Sequence, residues 1–171
     1  MPKSPNNMLG MTLIEVMITA SIGMIILAIT LPSFTQVIES SRTKTTRDLL
    51  VSALQQSQQE AVTHGRSVYL CATSDGNSCA ANWSAGKGWL SYIDVDRNGS
   101  YSSEDRIIHV TVNISAQIIA SNKTVVRFFP SGHAEVTEFD VCSNHSNVAN
   151  QQISLTRSGR VEYVSSTTYC D

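Results

Sequence analysis

Apolar positions along this chain follow two regimes. Residues 11–31 read MTLIEVMITASIGMIILAITL and carry one charge, Glu15; between Val16 and Ile38 there is none. At 1.5 Å per residue, a helix of that length covers about 30 Å, the thickness of a bilayer's hydrocarbon core. Residues 33–64 contain neither Gly nor Pro. Within them Leu50, Val51, Leu54, Ala61 and Val62 recur at near-helical spacing between Gln-rich polar positions. The pattern predicts one long helix over 11–64, interrupted or bent at Pro32, where proline removes a backbone donor, and closed by Gly65. Its first half, 11–38, is apolar; its second, 39–64, is amphipathic.

Beyond Arg66 the period shortens. Strands are expected at 68–72, 88–94, 107–112, 125–129, 134–141, 152–155 and 160–164, with turn signals at Asp75-Gly76, Asn98-Gly99, Ser131-Gly132 and Ser158-Gly159. Two stretches look alike: VRFFPSGHAEV over 126–136 and ISLTRSGRVEY over 153–163, each with Ser-Gly at its tip. They predict two tight antiparallel hairpins in one sheet system. The fold class is α+β, a long N-terminal helix packed against a small antiparallel β-domain over 65–171.

Composition changes this picture in three places. The formal net charge of −2 gives no reason to expect a bulk electrostatic partner. All four cysteines, Cys71, Cys79, Cys142 and Cys170, lie C-terminal to the apolar segment, as expected of disulfides in an oxidising compartment; buried thiols are the alternative. No pair has C-x-x-C spacing, which argues against a zinc or thioredoxin-type site. The topology signals conflict: Lys3 precedes the apolar run while Arg42, Lys44 and Arg47 follow it, so a positive-inside count opposes the cysteines.

The N-terminus resolves the conflict. A ten-residue polar leader ends in Gly10, and no small-residue cleavage site closes the apolar run, so the run is retained rather than removed as a secretory signal would be. Glu15 is a carboxylate inside an apolar helix, costly unless it has a role. The string Gly10-Met11-Thr12-Leu13-Ile14-Glu15, an apolar helix and then Pro32 resemble the leader and helix of type IV prepilins and type II secretion pseudopilins. The resemblance implies cleavage between Gly10 and Met11 by a prepilin peptidase, N-methylation of Met11, an assembly role for Glu15 and a kink at Pro32. Met11 departs from the usual Phe. Farther on, Cys71-x7-Cys79, Trp89 in a Gly-Trp-Leu strand, an Asp/Asn-rich turn, 128–132, and Cys142 to Ser158-Gly159-Arg160 to Cys170 resemble the FimT/FimU/GspH-like minor pilins. That likeness covers most of residues 10–170. It implies Cys71–Cys79 and Cys142–Cys170 pairing and a pilin fold.

Three chemistries remain. The turn Asp94-Val-Asp96-Arg-Asn98-Gly99-Ser100, ending at Asp105, nearly matches a twelve-residue calcium loop, with oxygens at positions one, three, five and seven, Gly at six and an acid at twelve. Asp for Glu at twelve and strands for flanking helices count against it; the alternative is a turn whose Asx side chains bond their own backbone. DNA binding, known in some FimT-type members, implies a G-R-x-R element. Here Gly159, Arg160, Val161 and Glu162 stand in those places, a carboxylate replacing the second arginine. From Arg66 onward eight Lys and Arg face ten Asp and Glu, leaving Arg157 and Arg160, with Lys123 or Arg127, as a local basic spot. No catalytic constellation occurs, His64, His109, His133 and His145 being scattered. The expected function is a non-enzymatic minor pilin that joins or primes a type IV pilus. It would be anchored in a bacterial inner membrane with its domain in the periplasm, working with other minor and major pilins. The alternatives are a DNA-binding minor pilin for transformation and an H-type pseudopilin of type II secretion.

Overall fold

The computed structural model describes residues 11–114, 117–143 and 148–164, the side chains of 27–33 and 117–118 excepted. Helix α1 spans Leu13–His64. It starts two residues later than the periodicity suggests because Thr12 caps it. The Glu15 amide donates to the Thr12 carbonyl at 3.1 Å and to Thr12 Oγ1 at 3.4 Å, meeting one of the first-turn donors. Gly65, at φ +60°, ends it as expected. The helix is one element, and Pro32 does not interrupt it. Proline forfeits one N–H···O bond, but its fixed φ is itself helical.

The chain divides into two compact units, Met1–Val37 and Ile38–Asp171. The second holds eight strands: β1 Val68–Thr73, β2 Gly88–Ile93, β3 Arg106–Thr111, β4 Gln117–Ser121, β5 Val125–Phe128, β6 Thr137–Ser143, β7 Gln151–Leu155 and β8 Val161–Val164. They form two antiparallel four-stranded sheets, ordered β3-β2-β1-β5 and β4-β6-β7-β8. Strand β4 is absent from the sequence reading. QIIAS is short and has polar ends, so neither alternation nor a long apolar run marks it.

The predicted stripe on the second half of α1 packs down onto both sheets. Leu50, Leu54 and Ala61 are fully buried with Trp89, Phe128, Phe139, Ile153 and Leu155. Val62, expected on that stripe, is instead exposed, because it is rotated about 100° from Ala61 on the helix. Strands β1 and β2 are buried along their whole length. One face meets the helix-side core. The other carries Tyr69, Cys71, Leu90 and Tyr92 beneath Tyr101 and Cys79. Arg47 ties α1 to the second sheet, donating to Gln151 Oε1 at 2.7 Å and lying 4.9 Å over the Tyr163 ring.

The two look-alike stretches do not make two hairpins of one sheet. Strand β5 pairs with β1 in the first sheet, and beyond the tip only an Ala134–Phe128 bridge is made before the chain leaves for β6 in the second. The β7–β8 hairpin is complete, but in the second sheet. The repeat therefore marks the seam between the sheets. Across it the Ala134 amide donates to the Arg157 carbonyl at 2.9 Å. Gln58, from α1, donates through Nε2 to the carbonyls of Gly132, at 2.7 Å, and Ser158, at 3.2 Å. Gly132 and Gly159 sit at φ +82° and +77°, the left-handed region these tips require. A Cβ on Gly159 would also collide with the Gln58 amide.

The Cys71–Cys79 disulfide closes the β1 end, with Cα atoms 5.7 Å apart. Within its loop Asp75 accepts from the Asn77 amide, and from the hydroxyl and amide of Ser78, and these hold its carboxyl down at about 2.

Two predictions follow from the seam and the loop. Gln58→Ala leaves two carbonyls without their donor. It should lower the urea midpoint at unchanged m-value, by the equivalent of about 0.5–1.5 kcal/mol, since water reaches the Ser158 carbonyl. Gln58→Glu should lose more, since a carboxylate then faces two carbonyl oxygens. An unchanged midpoint in both variants would mean that the seam holds without the clamp. Asp75 has a folded pKa depressed below its ordinary 3.8 to about 2, so the order it confers on its loop is full above the ordinary value. That order is lost as pH falls through the folded one. Amide exchange at Asn77 and Ser78, corrected for intrinsic rates, should lose protection across that window in the wild type and already at neutral pH in Asp75→Ala.

Candidate functional site

The N-terminal unit presents its apolar side chains outward. Met11, Leu13, Met24 and Ile25 are exposed by 71%, 81%, 72% and 63% in the single chain. Thr19 Oγ1 donates to the carbonyls of Glu15 and Val16 at 2.9 and 3.0 Å, and Ser21 Oγ to that of Met17 at 2.8 Å. Such back-bonding gives these two hydroxyl protons acceptors within the helix, the condition an apolar surrounding imposes. Glu15 lies one turn in, exposed, at the third helical position after Thr12. Gly10 and the Pro32 side chain lie outside the described residues. Among the described residues no helix is long and apolar enough to cross a membrane. The expected span over 11–31 includes residues 27–31, whose side chains are not described.

Of the cysteines, Cys71 and Cys79 are joined and Cys142 is disulfide-bonded. Its expected partner, Cys170, lies outside the described residues.

In the Asp-rich turn the structure brings the three acids among the predicted ligands together. Asp94, Asp96 and Asp105 each offer a carboxylate oxygen, and these atoms lie within 4.8 Å of one another. Asp94 and Asp105 are buried. Their oxygens accept loop amides: Asn98 and Gly99 donate to Asp94 at 3.2 and 3.0 Å, and Val95 and Ser102 to Asp105 at 2.9 and 2.7 Å. Burial works to raise the Asp94 pKa, but the Gly99 amide, Asp96 and the Arg97 and Asn98 amides hold it below its ordinary value. Asn98 and Ser100 serve the turn itself. The Asn98 side chain gives its nitrogen to Asp96, and the Ser100 amide donates to Asn98 Oδ1 at 2.7 Å.

The expected basic spot is divided. Arg160 is held by Glu162 at 2.8 Å, so Glu162 does share a side of the strand with it. Lys123 is paired with Glu135 at 3.4 Å. Arg157 lines a cleft with Lys123, Phe129, His133 and Glu135. Arg127 belongs to a neighbouring cleft of about 600 Å³, with Arg66, Arg97, Tyr69 and Phe129. There its guanidinium lies 4.6 Å over the Phe129 ring. This three-arginine cleft escaped the sequence reading because its cations come from the helix end, the Asp-rich turn and β5, with no spacing to connect them. Among the described histidines, His64, His109 and His133 lie apart, against Glu60, Thr111 and Ser131. His145 lies outside the described residues.

Comparisons with known proteins bear on all of this. A family model described as type II transport protein GspH matches residues 46–159, and one described as a prokaryotic N-terminal methylation motif matches residues 5–31. A comparison with curated proteins finds no match. Among solved structures, the chain is similar to the type IV minor pilin FimU of Pseudomonas aeruginosa PAO1. That likeness has a TM-score of 0.57 at 16% identity, over 75% of this chain and 92% of that one. It is also similar to the minor pseudopilin EpsH from the type 2 secretion system of Vibrio cholerae, with a TM-score of 0.52 at 9% identity, over 72% of this chain and 96% of that one. At such identities the two structures speak for the fold, which is that of a pilin: a helix packed on antiparallel sheets. With the GspH model matching two-thirds of its length and the methylation motif at its start, the chain belongs to the GspH family of type IV minor pilins and type II pseudopilins.

Proposed function

We propose that the chain is a non-catalytic minor subunit that joins or primes a type IV pilus. Cleavage by a prepilin peptidase between Gly10 and Met11 would precede assembly. The observation that carries this reading is the N-terminal unit: an exposed apolar helical surface on which the hydroxyls of Thr19 and Ser21 are satisfied within the helix. Water is a poor surrounding for such a surface, at about 25 cal/mol for each Å² of apolar area left exposed. A bilayer accepts it, and so does a bundle of like helices. The unit is held in the inner membrane with the disulfide-bonded domain in the periplasm, and then passes into the filament among other minor and major pilins. The alternative, an H-type pseudopilin of a secretion filament, is supported by the description of the matching family model.

Within such a bundle Glu15 and the new Met11 amine are each a charge in an apolar layer. Pairing Glu15 with the amine of a neighbouring subunit offsets a desolvation cost that is otherwise several kcal/mol. Glu15→Val should be cleaved and membrane-inserted as the wild type is, yet be incorporated into filaments several-fold less. Glu15→Gln keeps a polar side chain near the Thr12 cap and removes only the charge, so it should fail in the same way if charge is the cause. Quantitative immunoblotting of sheared filaments against membranes measures this, and normal incorporation of both variants would remove the assembly role.

A second reading, DNA binding, draws on the three-arginine cleft. None of Arg66, Arg97 and Arg127 is in an ion pair among the described residues, and the three line one cleft, a local concentration of cations that suits phosphates although Asp94 borders it too. Arg160, engaged by Glu162, is the weaker donor. Any DNA shift by the purified protein should be weak and salt-sensitive. Arg66→Ala with Arg127→Ala should reduce it more than Arg160→Ala, and Glu162→Arg should strengthen it and steepen its salt dependence. Retained binding in the double variant would rule out the cleft.

A further inference from the structure

The turn between β2 and β3 holds chemistry that filament assembly does not use. Three carboxylates converge within 4.8 Å, two of them buried; among the described residues no Lys or Arg forms an ion pair with any of the three, while Asp94 is hydrogen-bonded to the Tyr69 side chain and borders the cleft lined by Arg66, Arg97 and Arg127. Loop amides partly satisfy their oxygens but do not cancel like charges held so close together.

A second observation, independent of the carboxylates, points the same way. Tyr92 is fully buried, and its hydroxyl has no hydrogen-bond partner. It lies on β2 two residues before Asp94 and so on the same face of the strand. Its ring is stacked on Tyr69 at 5.4 Å and meets Tyr101, from the turn itself, edge-on at 5.1 Å. The contact with Tyr101 and the shared strand face set the phenol beneath the turn. A buried phenol beside three carboxylates suits a cation that brings its own water, because the water can donate to the phenol oxygen while its oxygen faces the metal.

We propose that Asp94, Asp96 and Asp105 bind a calcium ion, with water completing its shell and Tyr92 holding one of those waters. The donors are all oxygen, which disfavours zinc and copper. The loop supplies acids at positions one, three and twelve and Gly99 at six, a spacing suited to a large, irregularly coordinated ion rather than to magnesium, which demands a strict octahedron. Asp105 is shorter than the Glu usual at the last position, and strands rather than helices flank the loop. Affinity therefore belongs to the weak range of extracellular modules, a Kd of about 10⁻⁴–10⁻³ M.

The test uses the purified full-length protein in detergent, stripped with chelator. It is titrated calorimetrically with calcium chloride and melted with calcium, magnesium or sodium chloride at matched ionic strength. Calcium should give saturable heat and a higher melting temperature than magnesium at the same concentration. Asp96→Asn changes an exposed position and keeps an oxygen for the Asn98 amide. It should weaken calcium binding by about tenfold or more, as expected on losing one of three charged ligands. In chelator alone it should melt above the wild type, since one repelling charge is gone. Tyr92→Phe should fold and bind calcium more weakly. The proposal is overturned if calcium gives no heat and no shift up to about 10 mM, ten times the upper end of the expected Kd. It is equally overturned if magnesium shifts melting as much, or if Asp96→Asn binds as the wild type does.

Discussion

The structure depends on how one stretch of helix meets two sheets at once. Leu50, Leu54 and Ala61 lie on a single face of α1, and the side chains they bury against come from β1, β2 and β5 on one hand and from β6 and β7 on the other. Among the described residues, neither sheet has a helix of its own to cover its apolar face. Loss of the helical face would therefore expose both sheets together. Gln58 occupies the same face, between Leu54 and Ala61, and places its amide where the two sheets abut. Apolar burial along α1 supplies the attraction, which has no direction of its own. The Gln58 amide and the Ala134–Arg157 bond supply register, fixing which carbonyl of one sheet lies against which tip of the other.

How much of this is legible in the sequence follows from how far apart the interacting residues are. The N-terminal helix is legible because its signals are local: a charge-free run, a cap residue and a glycine at the far end. The Cys71–Cys79 bridge is implied by family likeness and is easily met, since one turn brings the two residues together. The sheet assignments are another matter. Val126–Val136 and its look-alike share a pattern because both need a left-handed glycine at a tight tip. Nothing in either stretch says that β5 belongs with β1 and β6 with β7. That is decided by cross-strand packing of Phe128 and Phe139 with residues far away in the chain. The arginine cleft was hidden for the same reason, its three cations being brought together by tertiary structure alone.

The Asp-rich turn shows where pattern reading succeeds and where it overreaches. Spacing correctly brought Asp94, Asp96 and Asp105 to one place, because a tight turn around Gly99 returns the chain on itself whatever it binds. Spacing also enlisted Asn98 and Ser100; the Asn98 side chain bonds Asp96 and accepts the Ser100 amide, so both residues take part in the turn itself. The acids converge for a reason that extends beyond the turn: β2 and β3 are paired, and Asp94 and Asp105 stand at the ends of those strands.

The two units meet different physical demands. Every buried apolar residue described belongs to the stretch from Leu50 onward. In the N-terminal segment the hydroxyls of Thr19 and Ser21 are satisfied within the helix. On the proposed assembly, a segment of that kind would exchange lipid for neighbouring helices with those polar groups already met. In that proposed assembly, Glu15 would give the exchange a direction. A carboxylate gains little from lipid and much from a cation, and in a bundle of processed helices the amine of a neighbouring Met11 would supply one.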